Sequence, residues 1–236
     1  MPHIWGDDKP SSAMAITVTS DLHDAFLCDT VPAKVMDALW ASGWRHFGKL
    51  FYRYAQQETE GGRALTITPL RIRLAKWQPT SSQRRVLRKN ADLRWEMQLV
   101  CLDDDLRSIF ERHKARFRDN IPEKLENFLG DKPDVGPCEC RLLRVFEGEK
   151  LLAASFLDVG QRAVSSVYAM FEPEAAWRSL GIFTLLLELR FACELGFDFL
   201  YPGYATQESS AYDYKKQFTG LEWLDFEACE WRGLPR

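Results

Sequence analysis

The sequence predicts an α+β fold: a mixed sheet flanked by helices, joined to a smaller N-terminal α/β half. Three observations carry that expectation. Arg141–Glu147, Lys150–Asp158 and Ala163–Phe171 are strand-like segments separated by short glycine-containing turns, which reads as a three-stranded meander. From Trp177 to Leu195 the residues Leu180, Phe183, Thr184, Leu187, Phe191 and Leu195 recur at helical spacing, and Gly196 stands where a helix ends. Phe197–Tyr201 is then a short buried strand. It leads through Gly203-Tyr204 into a polar loop holding Gln207, Glu208, Asp213, Tyr214 and Lys215. A strand that stops and hands polar side chains to a loop is a usual place for a site.

The other elements follow in chain order. Met1–Ser12 is a polar end, and Ala15–Thr19 has strand character. Val31–Ser42 predicts a helix capped by Thr30, with Pro32 in its first turn and Gly43 after its end. Trp44–Tyr54 and Ala64–Trp77 predict strands paired across the polar turn Gln56–Arg63. Within the second, Leu70, Ile72 and Leu74 alternate with Arg71 and Arg73, giving a charged outer face. Thr80-Ser81-Ser82 starts a basic helix, and Leu93–Leu102 is a strand. Asp103-Asp104-Asp105 suits the positive end of a helix running through Phe117 and reads as structural rather than metal-binding. His113 on that helix, among charged residues, is expected to be exposed. After a short helix at Glu123–Leu129, the loop Gly130–Pro137 is the natural boundary between units at 1–130 and 131–236.

Composition narrows the function classes. With 236 residues, 46% of them hydrophobic and 28% charged, the chain has ample material for a core. No apolar run approaches the ~20 residues that span a bilayer, and the start lacks the layout of a signal peptide, so a cytoplasmic location without a membrane partner is expected. Net charge of −3 disfavours indiscriminate polyanion binding. From Arg71 to Arg94, however, there are eight basic residues against the single acid Asp92, which suggests a local anionic ligand. Serine hydroxyls and helix-start amides beside arginine forks suit phosphate oxygens, although a solvated basic face has the same composition.

Of the six cysteines, Cys101, Cys193 and Cys229 lie in apolar segments and read as small buried hydrophobes. Cys138 and Cys140 point the same way from one strand, but no second Cys or His pair stands at fitting spacing. Reduced, mostly structural thiols and no metal are expected. His3, His23 and His46 have no catalytic partner recognisable in the sequence.

With these residues in order, the chain resembles the aminoacyl-tRNA–protein transferases, the arginyl-transferring enzymes and their bacterial leucyl-transferring relatives. The matches are Gly43-Trp44-Arg45-His46-Phe47-Gly48, Leu70-Arg71-Ile72, Pro79-Thr80-Ser81-Ser82-Gln83-Arg84-Arg85, Ser165-Ser166-Val167-Tyr168, Ser179-Leu180-Gly181, Gly203-Tyr204, Tyr214-Lys215, and Phe218 through Leu221-Glu222. The order meander, long helix, strand, helix, strand is that of a GNAT-like acyltransferase core. Three places depart from the family pattern. Ala55-Gln56-Gln57-Glu58-Thr59-Glu60 lacks the cysteines that would hold an iron–sulfur or zinc site, Pro202 interrupts the strand end, and Tyr212-Asp213 replaces a methionine.

The resemblance implies attack by a protein or peptide N-terminal α-amine on the ester of an aminoacyl-tRNA, which serves as co-substrate with no other cofactor. Asp213 and Glu208 are then the carboxylates near the amine, with Tyr204 and Tyr214 as hydrogen-bond donors. Lys215 and Arg178 recognise an acidic acceptor side chain or the terminal phosphate, and Ser166, Tyr168 and Gln207 line the substrate; Tyr168 serves equally as core packing. Ser82, Gln83, Arg84, Arg85, Arg88 and Lys89 hold tRNA phosphates. Whether arginine or leucine is transferred stays open, as does the oligomeric state.

Two other classes compete. An acyl-CoA-dependent N-acyltransferase needs a glycine-rich pyrophosphate turn; here Arg178-Ser179-Leu180-Gly181-Ile182-Phe183 keeps Arg178 and Gly181 but places bulky Phe183 where a small residue belongs. A non-catalytic RNA- or degron-binding relative would also fit the altered loop.

Overall fold

The computed structural model describes residues 22–58, 62–117, 121–210 and 213–233. The predicted Ala15–Thr19 strand and the polar start lie outside them. The described chain forms two sheets. The smaller joins β1 (His23–Leu27), β3 (Leu50–Tyr54) and β2 (Arg45–Phe47), in that order, after the helix α1 (Ala33–Ala41).

The larger sheet takes up β4 (Gln56–Glu58), β5 (Ala64–Arg73), β6 (Arg94–Leu99), β7 (Glu139–Glu147), β8 (Lys150–Val159), β9 (Ala163–Phe171), β10 (Phe199–Thr206), β11 (Leu221–Asp225) and β12 (Glu230–Gly233). Its order is β12-β11-β5-β10-β9-β8-β7-β6, with β4 alongside β5, so strands from both sides of residue 130 share it. β6 to β9 are antiparallel and β9 to β10 is the parallel step. The helix α5 (Leu180–Glu194) makes that parallel crossover and packs across β8, β9 and β10. This is the GNAT-like arrangement. Helices α2 (Ser81–Lys89), α3 (Asp104–Lys114) and α4 (Glu126–Leu129) complete it, α2 packing on α5 and α3 against β8 and β9.

Several local expectations are corrected. The segment 44–54 is a tight hairpin, not one strand: Gly48 turns it with φ 52°, and its Cα packs so close to Gly130 that a Cβ would meet backbone at 3.0 Å. Ala64–Arg73 pairs with Gln56–Glu58, not with 44–54. Thr30 does not cap α1; Pro32 precedes it, and the Val31 N–H is drawn away to the Pro137 carbonyl at 2.7 Å. The long helix starts at Leu180, because Pro173–Arg178 forms 3-10 turns and Ser179 adopts a left-handed conformation.

Histidines and cysteines also differ from expectation. His113 is buried: its ring packs 4.8 Å from that of Phe171, whose N–H donates to Nδ1. His46 does have a partner, the Asp158 carboxylate at 2.7 Å. Cys101, Cys193 and Cys229 are exposed, while Cys140 is buried and Cys138 half-buried. Cys101 follows edge strand β6, Cys193 lies on the solvent side of α5, and Cys229 sits in the β11–β12 turn.

The basic stripe divides in two. Arg71 and Arg73 point across the sheet to β11, where both bind Glu222, at 2.7 and 2.8 Å, and both lie over the Phe199 ring. Burial works against the Glu222 charge, but bonds from Arg73 and Arg71 outweigh it and hold the carboxyl below its ordinary range. Glu222→Gln therefore leaves two arginines without their counter-charge and costs about 3 kcal/mol in urea unfolding at pH 7. Because the folded pKa is depressed, the difference from wild type shrinks as pH falls through the carboxylate range.

Candidate active site between two diverging strands

β9 and β10 run side by side for only three residues each: Ala163, Val164 and Ser165 against Phe199, Leu200 and Tyr201. Both strands then break register with their outer neighbours. β10 slips between Leu200 and Gly203 along β5, and β9 slips beside Phe156 and Leu157 of β8. Pro202 supplies no N–H for the ladder at that point. The two strands part, and the backbone groups facing the gap need other partners.

Arg45, at the start of β2, supplies them. Its guanidinium donates to the Ser165 hydroxyl and the Ser166 carbonyl on β9, and to the Tyr201 carbonyl on β10 at 3.4 Å. Lys215, on the 3-10 turn Asp213–Gln217, donates to the Tyr204 carbonyl at 3.4 Å. Gly203, with φ 96°, lies between these cations; a Cβ there would come within 3.3 Å of Lys215 Nζ and 3.7 Å of Arg45 Nη2. Only glycine leaves that space.

Beneath the gap, α5 contributes Glu188, 1% exposed. Burial pushes its pKa up to about 7, against the Ser155 and Ser166 hydroxyls and the charges of Lys215 and Arg45, which favour the ionised form. Among the described residues no donor completes a hydrogen bond of good geometry to either carboxylate oxygen. Lys215 is displaced the other way: burial first, then Arg45, bring its pKa down to about 7, while Glu188 pulls it up. An acid and a base that share one buried site and both titrate near neutrality form an arrangement suited to proton transfer.

Of the residues expected from sequence, Ser166 and Lys215 belong to this cluster. Tyr204 borders it, but its hydroxyl donates to the Gly43 carbonyl at 2.6 Å and ties the small sheet to β10. Asp213 lies at the start of its turn, bound to Lys216 at 2.7 Å and to Ser210 N and Ser209 Oγ. The Lys216 bond and then the Ser210 N–H hold it below the ordinary carboxylate range, which makes it a poorer base than expected. Glu208 accepts from the Thr66 N–H at 3.0 Å and so pins the end of β10 to β5. Gln207 is exposed at that strand end, its N–H bonded to the Thr66 carbonyl. Tyr214 packs against the core, and Tyr168 stacks on Phe128 with centroids 4.1 Å apart.

Arg178 is committed elsewhere. It donates to both oxygens of Asp92, at 3.1 and 2.9 Å, and to Glu147 at 2.7 Å, fixing the entry to α5. Gln83 is buried as the reciprocal half of a capping box with Thr80. Arg84 folds back onto the Pro79 carbonyl and Ser81, and Lys89 donates to the Trp177 carbonyl. Arg85 and Arg88 point to solvent, with Ser82 exposed on the first turn.

Two members of the cluster had a signal in the sequence that went unused. Glu188 interrupts the apolar run Leu185-Leu186-Leu187 before Leu189, and Arg45 lies in the family-like Gly43–Gly48 motif. Ser165 lies in the Ser165–Tyr168 motif, beside the candidate Ser166, while Ser155 is a lone hydroxyl in a buried strand and carries little signal.

A mixed sheet whose one parallel pair among the described residues splays over a crossover helix is the GNAT-like fold. FemX aligns with a TM-score of 0.45 at 9% identity, over 80% of this chain and 65% of that one, too loose a likeness to add to the topology. Sequence comparison is sharper. A family model described as "Arginine-tRNA-protein transferase, C terminus" matches residues 107–225. The chain is 30% identical over 200 residues to an aspartate/glutamate leucyltransferase of Stenotrophomonas maltophilia, covering 78% of this chain and 77% of that one. It is 32% identical over 180 residues to one of Xanthomonas euvesicatoria, covering 71% and 69%, and 30% over 199 residues to one of Marinobacter nauticus, covering 82% and 81%. The chain belongs to the arginine-tRNA-protein transferase family, a family of aminoacyltransferases.

Glu188 and Lys215 give stability opposite pH slopes. The folded chain keeps the Glu188 proton between pH 4.5 and about 7, where the unfolded chain has lost it, so stability falls across that window. The depressed Lys215 value reverses the slope from about 7 to 10.5. Glu188→Gln removes the decline in stability as pH rises from 4.5 through about 7, so the variant's stability is flatter with pH than the wild type's over that window, read from denaturant unfolding at a series of pH values.

Proposed function

We propose that the protein transfers leucine from charged tRNA to the N-terminal α-amine of a protein or peptide that begins with Asp or Glu. The observation that carries this is the pair of half-buried cations Arg45 and Lys215 above the buried Glu188. With all three ionised the site holds one positive charge too many, and an acidic side chain on the acceptor balances it. That carboxylate also restores the charge on Lys215, which in turn favours ionised Glu188 and readies it to accept a proton. Recognition of the acceptor thus activates the base.

In the reaction the amine attacks the ester carbonyl, an amide C–N bond forms, and the ester C–O bond to the terminal ribose breaks. Glu188 takes the amine proton and returns one to the departing ribose oxygen. An α-amine with a pKa of ~7.7–8 needs only such modest help. The names of the relatives support leucine and an acidic acceptor; the exposed Arg85 and Arg88 support a tRNA backbone contact on α2.

Acyl-CoA is the weaker alternative. The Ile182 and Phe183 amides at the start of α5 are already bonded to the Ser179 carbonyl, and Arg178 is held by Asp92 and Glu147. Little is left there for a pyrophosphate.

Incubation with leucyl-tRNA and arginyl-tRNA, with product masses measured on peptides beginning Asp, Glu, Asn or Gln, tests the assignment. Leucine on the acidic peptides is the expected product; labelling from acetyl-CoA alone overturns it. Lys215→Met, similar in size, lowers kcat/KM for acidic peptides ~10²-fold and for their amide counterparts much less. Reversing Arg85 and Arg88 to Glu weakens binding of all tRNAs alike and flattens the log–log salt slope by about two.

A further inference from the structure

The Cys-x-Cys at Cys138 and Cys140 lacks a metal-binding partner in the sequence, but the fold provides one. His46 of β2 reaches Asp158 of β8 with Nε2 2.7 Å from Oδ2, and the ligand atoms of His46, Cys138 and Asp158 lie within 4.8 Å of one another. Cys140 is the direct cross-strand neighbour of Asp158, two residues along from Cys138, and the same four residues line one small cavity closed by Phe128, Leu129 and Pro137. We infer that His46, Asp158, Cys138 and Cys140 form a tetrahedral site for a structural zinc ion.

The hydrogen-bond chemistry of His46 supports this. Its Nδ1 lies 2.9 Å from the Gly48 carbonyl, which can only accept, so that nitrogen carries a proton. Without a metal, Nε2 donates to the Asp158 carboxylate as half of an ion pair; a cation that replaces that proton takes Nε2 and the carboxylate as its first two ligands. A histidine whose far nitrogen donates to a backbone carbonyl is the usual metal-bound form. One imidazole, one carboxylate and two thiolates match what zinc takes in closed tetrahedral sites, with bonds of about 2.0–2.3 Å. Such ligands stand about 3.3–3.8 Å apart, so shifts of around an ångström bring His46, Cys138 and Asp158 to that spacing, while Cys140, outside that trio, turns in from its cross-strand place beside Asp158 to complete the set. Binding displaces the thiol protons to solvent, and no redox change is involved.

The site ties the β2 hairpin to the paired strands β7 and β8 and to the loop that leads into β7. It also sits one residue from Arg45. The inference runs against the expectation of no metal, which rested on spacing along the chain and on the cysteine-free 55–60 segment, a place the site does not use.

Elemental analysis of the full chain, loaded with zinc and desalted, tests the site, and it needs no tRNA or acceptor. Roughly one zinc per chain is expected in the wild type and in Cys193→Ser, an exposed thiol, with a tenth or less in Cys138→Ser and Asp158→Asn. Cobalt substitution of the wild type gives the thiolate-to-cobalt charge-transfer band, and a chelator lowers its melting temperature. If a variant fails to fold, the wild-type cobalt spectrum decides alone. Absence of that band, or equal zinc in Cys138→Ser and wild type, overturns the proposal and leaves a buried imidazole–carboxylate pair beside two packed thiols.

Discussion

One guanidinium holds open the place where the main sheet divides. Arg45 stands in for ladder hydrogen bonds that β9 and β10 no longer give each other, bridging Ser165, Ser166 and Tyr201. Everything around it follows from that substitution. The small sheet must dock so that β2 delivers the side chain, and Tyr204 secures this docking through the Gly43 carbonyl. Glycine is required at 203, because the cations fill the room a side chain would take. A half-buried positive charge also needs an answering one, and α5 brings Glu188, the one acid on its buried face.

What could be read from sequence was what depends on neighbours along the chain. The β7–β9 meander, the capped basic helix and the Asp103 cap are written in turn glycines, Thr80 with Gln83, and an acidic first turn, all within a few residues of the element they define. The pairing of β3 could not be read this way. Nothing in Leu50–Tyr54 says that its partners are β1 and β2 rather than the alternating segment that follows. The family resemblance points to the loop after Tyr204 and weights its carboxylates by proximity in sequence, so it favours Asp213, which is paired with Lys216; Glu188, which the fold places beside Lys215, lies on a helix well before that loop.

The charges teach a related lesson. Arg71, Arg73, Arg85 and Arg88 look alike as a basic run. Two share the single carboxylate of Glu222 from far along the chain and lie over an aromatic ring, and two face water. The acidic tail and the basic stripe, separate features in sequence, are partly one ion-pair network inside the sheet. Conversely, Cys101, Cys193 and Cys229 sit in apolar stretches yet are exposed, since an apolar segment on a sheet edge, a helix or a turn still has an outer side.

The position of β5 carries a cost for a growing chain. Apart from short β4, its neighbours are β10 and β11, so a ten-residue strand made early waits for segments more than a hundred residues downstream. During synthesis it remains a long strand with two unpaired edges until the residues around 225 have cleared the ribosome. Closing the sheet is then a late, long-range event, and the cluster of Arg45, Lys215 and Glu188, which needs β2, α5 and the 3-10 turn at 213 together, cannot exist before that turn has been made.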